Sequence, residues 1–155
     1  MKLIIRAGGH IRSGPERELI DDYMKRSHGL ARACGFHSVT EQEIDLKKCK
    51  DRAEESQRLF QNPSNSIQFI ALDERGKNLT SRQISQILVN AQPESRDICL
   101  VIGGADGFEP ANIPPGAIKW SFGAQTWPHK LVRVLAAEQI YRALSIIAKT
   151  PYHRD

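Results

Sequence analysis

The chain has 155 residues and closes on Thr150-Pro151-Tyr152-His153-Arg154-Asp155. Three of those side chains carry chemistry. A tyrosine such as Tyr152 can stack on a nucleobase, a histidine such as His153 titrates near neutral pH, and Arg154 offers a permanent planar cation to phosphate oxygens. Chain ends are ordinarily frayed and polar because little holds them down. An ending of this composition therefore reads either as a leftover tail or as a working end. Arg142, a little upstream, adds a second guanidinium suited to phosphate. It stands four residues after Glu138 in the favourable order for a helical ion pair, and as a plain surface pair that contact contributes only roughly 0.2–0.5 kcal/mol.

Three further stretches can approach a ligand: LDERGK at 72–77, GGADGF at 103–108 and SFGAQTWPH at 121–129. The glycines of the second allow close backbone approach, although the stretch fits neither the dinucleotide fingerprint nor a Walker loop and, taken alone, reads as a tight turn rather than a cofactor site. In the third, Pro128 and His129 open a helix, and His129 reads equally as a surface histidine. No Ser-His-Asp or Cys-His arrangement emerges from the spacings. Cys34, Cys49 and Cys99 are odd in number and form no C-x-x-C pair, so a disulfide framework is not expected. Histidines 10, 28, 37, 129 and 153 lack metal-ligand spacing, and no metal is expected.

The elements that must position these residues alternate in type. KLIIRA reads as a strand and PERELIDDYMKRS as a helix with Pro15 in its first turn. FHSVTEQEI alternates as a strand does, and CKDRAEESQRLFQ is a charged helix ending at the turn cluster NPSNS. IQFIALD and ICLVI are continuous apolar runs, as in strands buried on both faces. ERGKN reads as a turn, followed by a helix RQISQILVNAQ capped by Thr80 or Ser81. AIKWSF is a last strand and PHKLVRVLAAEQIYRALSIIAK the longest helix. This order predicts an α/β fold, a mostly parallel sheet flanked by helices, in one domain spanning 1–155. Ligands in such sheets bind beyond the carboxyl ends of the strands, where the three loops fall.

The last helix has two apolar stripes. Val132, Ala136, Ile140, Ala143, Leu144 and Ile147 form one, and Leu131, Val134, Leu135 and Tyr141 the other. A helix apolar over so much of its surface is expected to be buried on two sides, one against the sheet and one against a second copy of the chain.

Composition sets the outer limits. An apolar fraction of 40% with 26% charged residues is ordinary for a globular chain. No run approaches the roughly 18 apolar residues of a membrane span, and the amino terminus lacks the apolar core of a signal peptide. A reduced, cytoplasmic protein is expected. The net charge of +4 and pI of about 9.1 mildly favour a polyanionic partner. Arg6, Arg12, Arg17, Lys25, Arg26 and Arg32 load the first third, Lys130, Arg133, Arg142, Lys149 and Arg154 load the end, and acidic residues gather between Glu41 and Glu55.

In order and separation, LDERGK, VIGGADGF, WSFGAQTWPHKLVRVLAAEQIYRA and the terminal PYHR resemble a bacterial family, the SPOUT-class ribosomal RNA large subunit methyltransferase H. The resemblance covers the chain in length and its second half in detailed motif. It implies an α/β trefoil knot whose C-terminal segment is threaded through a loop, an exception to the rule that chains avoid knots. It also implies a homodimer that uses S-adenosyl-L-methionine to methylate N3 of pseudouridine 1915 in 23S rRNA, on the assembled 70S ribosome. Carried over by motif, the cofactor contacts are Leu72, Gly103, Phe122, Gly123, Ala124, Gln125, Thr126 and Trp127. Gln125 and Trp127 stand where many relatives have other apolar residues, and SFG replaces a Ser-rich turn.

Methyl transfer from a sulfonium requires in-line positioning rather than a metal or a covalent nucleophile. A base taking the N3 proton contributes roughly 10²–10⁴-fold, and His153 has the chemistry for it. Arg154 and Arg142 then serve phosphate, and Tyr152 a base. Residues 131–148 in helix span roughly 27 Å, which separates the tail from the 122–127 loop of the same chain. An antiparallel dimer would bring a partner's tail to that loop, so a shared active site is expected. The alternatives are a non-catalytic ribosome- or RNA-binding α/β module and a nucleotide-binding oxidoreductase. The missing glycine fingerprint argues against the latter.

Overall fold

A computed structural model describes residues 1–62 and 66–155. The turn expected at NPSNS lies largely outside the described residues. Among the described residues the five strands are β1 (Lys2–Gly8), β2 (Ser38–Ile44), β3 (Ile67–Asn78), β4 (Asp97–Ile102) and β5 (Ile118–Ser121). They form one sheet in the order β2-β1-β4-β3-β5, and every pairing is parallel. The helices are α1 (Pro15–Ala31), α2 (Arg52–Leu59), α3 (Ser81–Asn90) and α4 (His129–Ile147).

Strand alternation sends side chains to two cores. Leu3, Ile5 and Ala7 of β1 join Ile98, Leu100 and Ile102 of β4 against α1, α3 and α4. Ile4, Cys99, Val101 and Phe69 point the other way, against Leu59 and Phe60 at the end of α2 and Phe108 and Ile113 beyond β4. Both faces of β1 and β4 are thus covered, which is why their sequences are apolar without alternation. Burial pushes the Cys99 thiol up to about 11, as expected of a cysteine that behaves as a small core residue.

Two expectations need correction. ERGKN is not a turn after a finished strand, because β3 runs on to Asn78. Its pairing with β5 breaks between Leu72 and Lys77, and Trp120 lies opposite both residues. Asp73 to Gly76 bulge out of the ladder, so the polar composition marks a bulge inside a strand. Gly76 is required there, since a Cβ would lie 2.5 Å from the Lys119 carbonyl carbon and 2.6 Å from the Trp120 nitrogen. The second correction concerns α4. Part of its second stripe is covered within the chain, while Leu135 stays half-buried. Val134 is buried with Ile11 and Ile20, Tyr141 packs on Tyr23 of α1, and only Leu131 remains largely exposed, at 39%. The missed element was α1 as an intrachain cover.

Thr80, not Ser81, caps α3. Its hydroxyl accepts from the Gln83 amide at 3.1 Å, and the Gln83 side chain accepts in return from the Thr80 amide at 2.8 Å, a closed capping box. Thr80→Ala is expected to destabilise the protein by about 1 kcal/mol, read as a shift in urea midpoint with an unchanged slope. A cost below about 0.3 kcal/mol would mean that the box contributes nothing.

Candidate functional site

The bulge of β3 and the carboxyl ends of β4 and β5 enclose a cavity of about 360 Å³, a volume in the range of small-molecule sites. Leu72, Gly103, Phe122, Gly123, Gln125, Thr126 and Trp127 all line it. Ala124 is exposed and does not. Gly103 keeps the β4 loop tight, since a Cβ there would lie 3.2 Å from the Gly107 backbone. Gly123 has φ +104°, a conformation that favours glycine, and it closes a small turn in which its amide donates to the Ser121 hydroxyl at 3.2 Å. The Trp127 indole N–H donates to the Phe122 carbonyl at 3.4 Å, which orders the loop between β5 and α4.

Asp73 and Arg75, which stand within the LDERGK stretch, also line the cavity. Asp73 is buried, and its carboxylate accepts from Arg75 Nε at 2.8 Å and Nη2 at 2.7 Å. Burial works against the charged form of Asp73, but Arg75 outweighs it and holds the carboxyl below its ordinary range. Arg75 also donates to the Phe108 carbonyl at 3.3 Å, so the β3 bulge and the β4 loop are clamped together across the cavity mouth. The bulge is what turns Asp73 and Arg75 toward each other.

At the start of α4, His129 is half-buried and its Nε2 lies 3.3 Å from the Gly8 carbonyl. A carbonyl only accepts, so Nε2 carries the hydrogen. Burial lowers the pKa of this ring, assisted by Arg133 nearby and opposed by the Gly8 carbonyl. His129 is therefore a neutral donor that fastens the end of β1, not the capped surface histidine its position permitted. Arg133, one turn on, is 1% exposed. It donates to the Gly8 and Gly9 carbonyls at 3.2 and 3.0 Å and pairs with Glu43 at 2.5 Å. Arg17 of α1 pairs with Glu41 at 2.6 Å and with Glu43 at 3.3 Å. Burial opposes the charge on Glu43, yet the Ile11 amide and Arg133 hold its carboxyl below the usual value. Part of the acidic block at 41–55 is thus neutralised by the basic flanks.

The terminal residues pack elsewhere. Tyr152 donates its hydroxyl to Glu138 at 2.9 Å, its ring meets Tyr141 edge-on at 4.6 Å, and the Arg142 guanidinium lies 4.7 Å from the ring centroid. Burial, with Tyr23 and Glu138 adding to it, raises the phenol's pKa. Arg142 pairs with Glu138, as its spacing predicted, at 2.5 Å, and that hydrogen-bonded carboxylate raises its pKa. His153 Nδ1 lies 3.4 Å from Arg142 Nη1 and Nε2 lies 3.0 Å from Asp155 Oδ1. Since the guanidinium only donates, Nδ1 accepts and Nε2 carries the hydrogen, which occupies both ring nitrogens. Asp155 also pairs with Arg82 of α3, which with His153 draws its carboxyl down to about 2. Arg154 is exposed. No residue of 150–155 lines the cavity, so the structure gathers Leu72, Gly103 and most of 122–127 in one place and Arg142, Tyr152 and His153 in another. Among the described residues no cluster of potential metal ligands occurs, and no helix is long and apolar enough to cross a membrane.

A family model described as "Predicted SPOUT methyltransferase" matches residues 1–153. Among curated proteins, the chain is 45% identical over 156 residues to a ribosomal RNA large subunit methyltransferase H from Maricaulis maris (strain MCS10), covering 100% of both. It is 43% identical to the protein of that name from Hyphomonas neptunium (strain ATCC 15444), over 99% of each. The corresponding protein from Paracoccus denitrificans (strain Pd 1222) is 40% identical over 100% of both.

Proposed function

The chain belongs to the SPOUT methyltransferases, within the ribosomal RNA large subunit methyltransferase H family, and on that premise we propose that it methylates N3 of a pseudouridine in 23S rRNA on the assembled 70S ribosome, using S-adenosyl-L-methionine. The observation that carries this reading is the cavity at the β3 bulge and the ends of β4 and β5, whose lining brings Leu72, Gly103 and the 122–127 loop together. Its volume, its glycine-lined backbone and its apolar rings fit a nucleoside-bearing cofactor. Leu72, Gly103, Phe122, Gly123, Gln125, Thr126 and Trp127 would hold that cofactor, with Ala124 only adjacent. When bound, it supplies an electrophilic methyl on a sulfonium. The protein's own work is to orient the acceptor in line, exclude water and receive one proton.

The tail supplies the remaining groups. Arg142 and Arg154 address phosphate, Tyr152 a base, and His153 takes the N3 proton on Nδ1 once Arg142 releases that nitrogen. Because none of these lines the cavity of its own chain, the site is completed by a second copy, whose tail reaches the cavity. Residues 1–155 thus act as one domain in a cytoplasmic, knotted homodimer.

Titration calorimetry with S-adenosyl-L-methionine tests the cofactor half of this reading. The wild type is expected to bind, and Gly103→Val, which fills the tight β4 loop, is expected to lose binding while the fold is retained by circular dichroism. A wild type without affinity for the cofactor would favour a non-catalytic ribosome-binding module instead.

A further inference from the structure

A second cavity, of about 600 Å³, opens between the turn after β1 (8–13), the turn after β2 (45–47), Glu55 of α2 and the start of α4. It shares Gly104, Ala105 and His129 with the donor cavity. We infer that this cavity receives the acceptor strand of the RNA, with Arg12 and Lys130 taking its backbone phosphates while the target nucleotide faces the donor cavity across Gly104 and Ala105. The inference rests on the methyltransferase reading and adds to it a place for the substrate on the donor's own subunit.

Topology marks the position. β1 leads into α1 on one face of the sheet, whereas β4 leads toward the 3₁₀ turn Pro110–Asn112 on the other. β1 and β4 are neighbours, so their outgoing connections diverge and leave a crevice beyond their carboxyl ends. In open parallel sheets that crevice is where ligands bind.

The wall between the two cavities is thin because glycines build it. A Cβ on Gly8 would lie 3.2 Å from the Gly104 nitrogen and 2.4 Å from Leu46 Cδ1. Gly8 and Gly104 therefore approach backbone to backbone, with the Leu46 side chain packed against both. The wall is also held rigidly. Arg133 and His129 fasten the Gly8 and Gly9 carbonyls, the Ile11 amide donates to Glu43 at 2.8 Å, and Arg17 Nε donates to the Ile11 carbonyl at 2.7 Å. Gly9 has φ +84°. The turn that carries Arg12 is fixed before any ligand arrives.

Charge selects the ligand. On the elements flanking the cavity, Arg17 and Arg133 are consumed by Glu41 and Glu43. Among the described residues Arg12 and Lys130 are exposed and form no ion pair, which leaves them available to phosphate oxygens. Lys47 shares the rim with Asp45, whose carboxylate accepts from the Lys47 amide at 2.9 Å. Among the described residues the Glu55 amide donates to the Asp51 carbonyl, and its carboxylate forms no ion pair or hydrogen bond. It offers an acceptor to a ribose 2′-hydroxyl, the group that distinguishes RNA from DNA. Three cations against two carboxylates suit one or two phosphodiesters rather than a dense polyanion.

The test compares Arg12→Gln/Lys130→Gln with Lys2→Gln/Arg32→Gln, an equal charge change at the amino-terminal end of the sheet. Each fluorescently labelled protein is titrated with 70S ribosomes across a salt series, and cofactor affinity is measured in parallel. Two lost phosphate contacts are expected to reduce the log–log salt slope by about 1.4, at roughly 0.7 per contact for single strands. They should also raise KM for ribosomes at least about tenfold, with cofactor affinity and kcat at saturation unchanged. An unaltered slope and KM in the cavity variant, or an equal loss in the control, would overturn the inference. Failure of the wild type to bind cofactor would count against the methyltransferase reading alone, because the salt slope is read without turnover.

Discussion

Removal of residues 152–155 is expected to lower methyl transfer to ribosomes by at least about 10²-fold, the lower bound for losing a positioned acid–base group. Cofactor binding should be unchanged, because no tail residue lines the donor cavity. Folding should suffer little. The Arg82–Asp155 pair is exposed, and solvent screens such pairs so that they contribute little to folding. The larger structural loss is the Tyr152 ring on Tyr141 and its bond to Glu138. A Tyr152→Phe variant separates the two, since it keeps the ring and removes the hydroxyl. The two ring nitrogens of His153 are both engaged within its own chain, so the tail must exchange partners before His153 can accept a proton. Mixing tail-deleted protein with Gly103→Val protein is expected to restore activity in heterodimers, where one intact tail and one intact cavity can meet. Normal turnover by the truncated protein would remove the tail from the mechanism, and absence of restoration would place the whole site in one subunit.

Arg133→Ala should be the most destabilising single substitution near the site. Removing one partner of a buried charge network costs about 3–5 kcal/mol. Arg17 still pairs with Glu41 and Glu43 in the variant, so the expected loss is at the lower end, about 3 kcal/mol. What the variant cannot replace are the donors to the Gly8 and Gly9 carbonyls. Arg133→Met restores most of the volume but none of those bonds, and it is expected to recover less than half of the loss. Chemical denaturation at one fixed protein concentration measures both. A loss below about 1 kcal/mol for Arg133→Ala would show that the wall between the cavities does not depend on this side chain.

Much of the architecture could be read from the sequence because it is local. β1 reads as a short strand, β3 and β4 as apolar runs that only a doubly covered strand tolerates, and Thr80 or Ser81 marks the start of α3. Gly103 and the 122–127 loop were legible through resemblance, since glycines in a loop say that backbone can approach but not what it approaches. The β3 bulge was not legible. Glu74, Arg75 and Gly76 look like a turn, and only pairing with β5, far along the chain, makes them part of a strand. α1 as the cover for Val134 and Tyr141 was missed for the same reason, because periodicity tells how wide an apolar face is and not which element covers it. Arg133 did leave a trace. A single arginine inside the apolar run of Leu131, Val132, Val134 and Leu135 must either reach solvent or find buried partners, and here it finds Glu43 and two carbonyls.

The most direct measurement supplies ribosomes lacking the modification with S-adenosyl-L-methionine labelled in its methyl group, in the presence of the purified protein. The 23S rRNA is then digested and the label located by mass spectrometry. The account predicts methyl incorporation at N3 of one pseudouridine on 70S ribosomes and little on naked rRNA. Label on a different nucleotide, equal labelling of naked rRNA, or no transfer at all would contradict it.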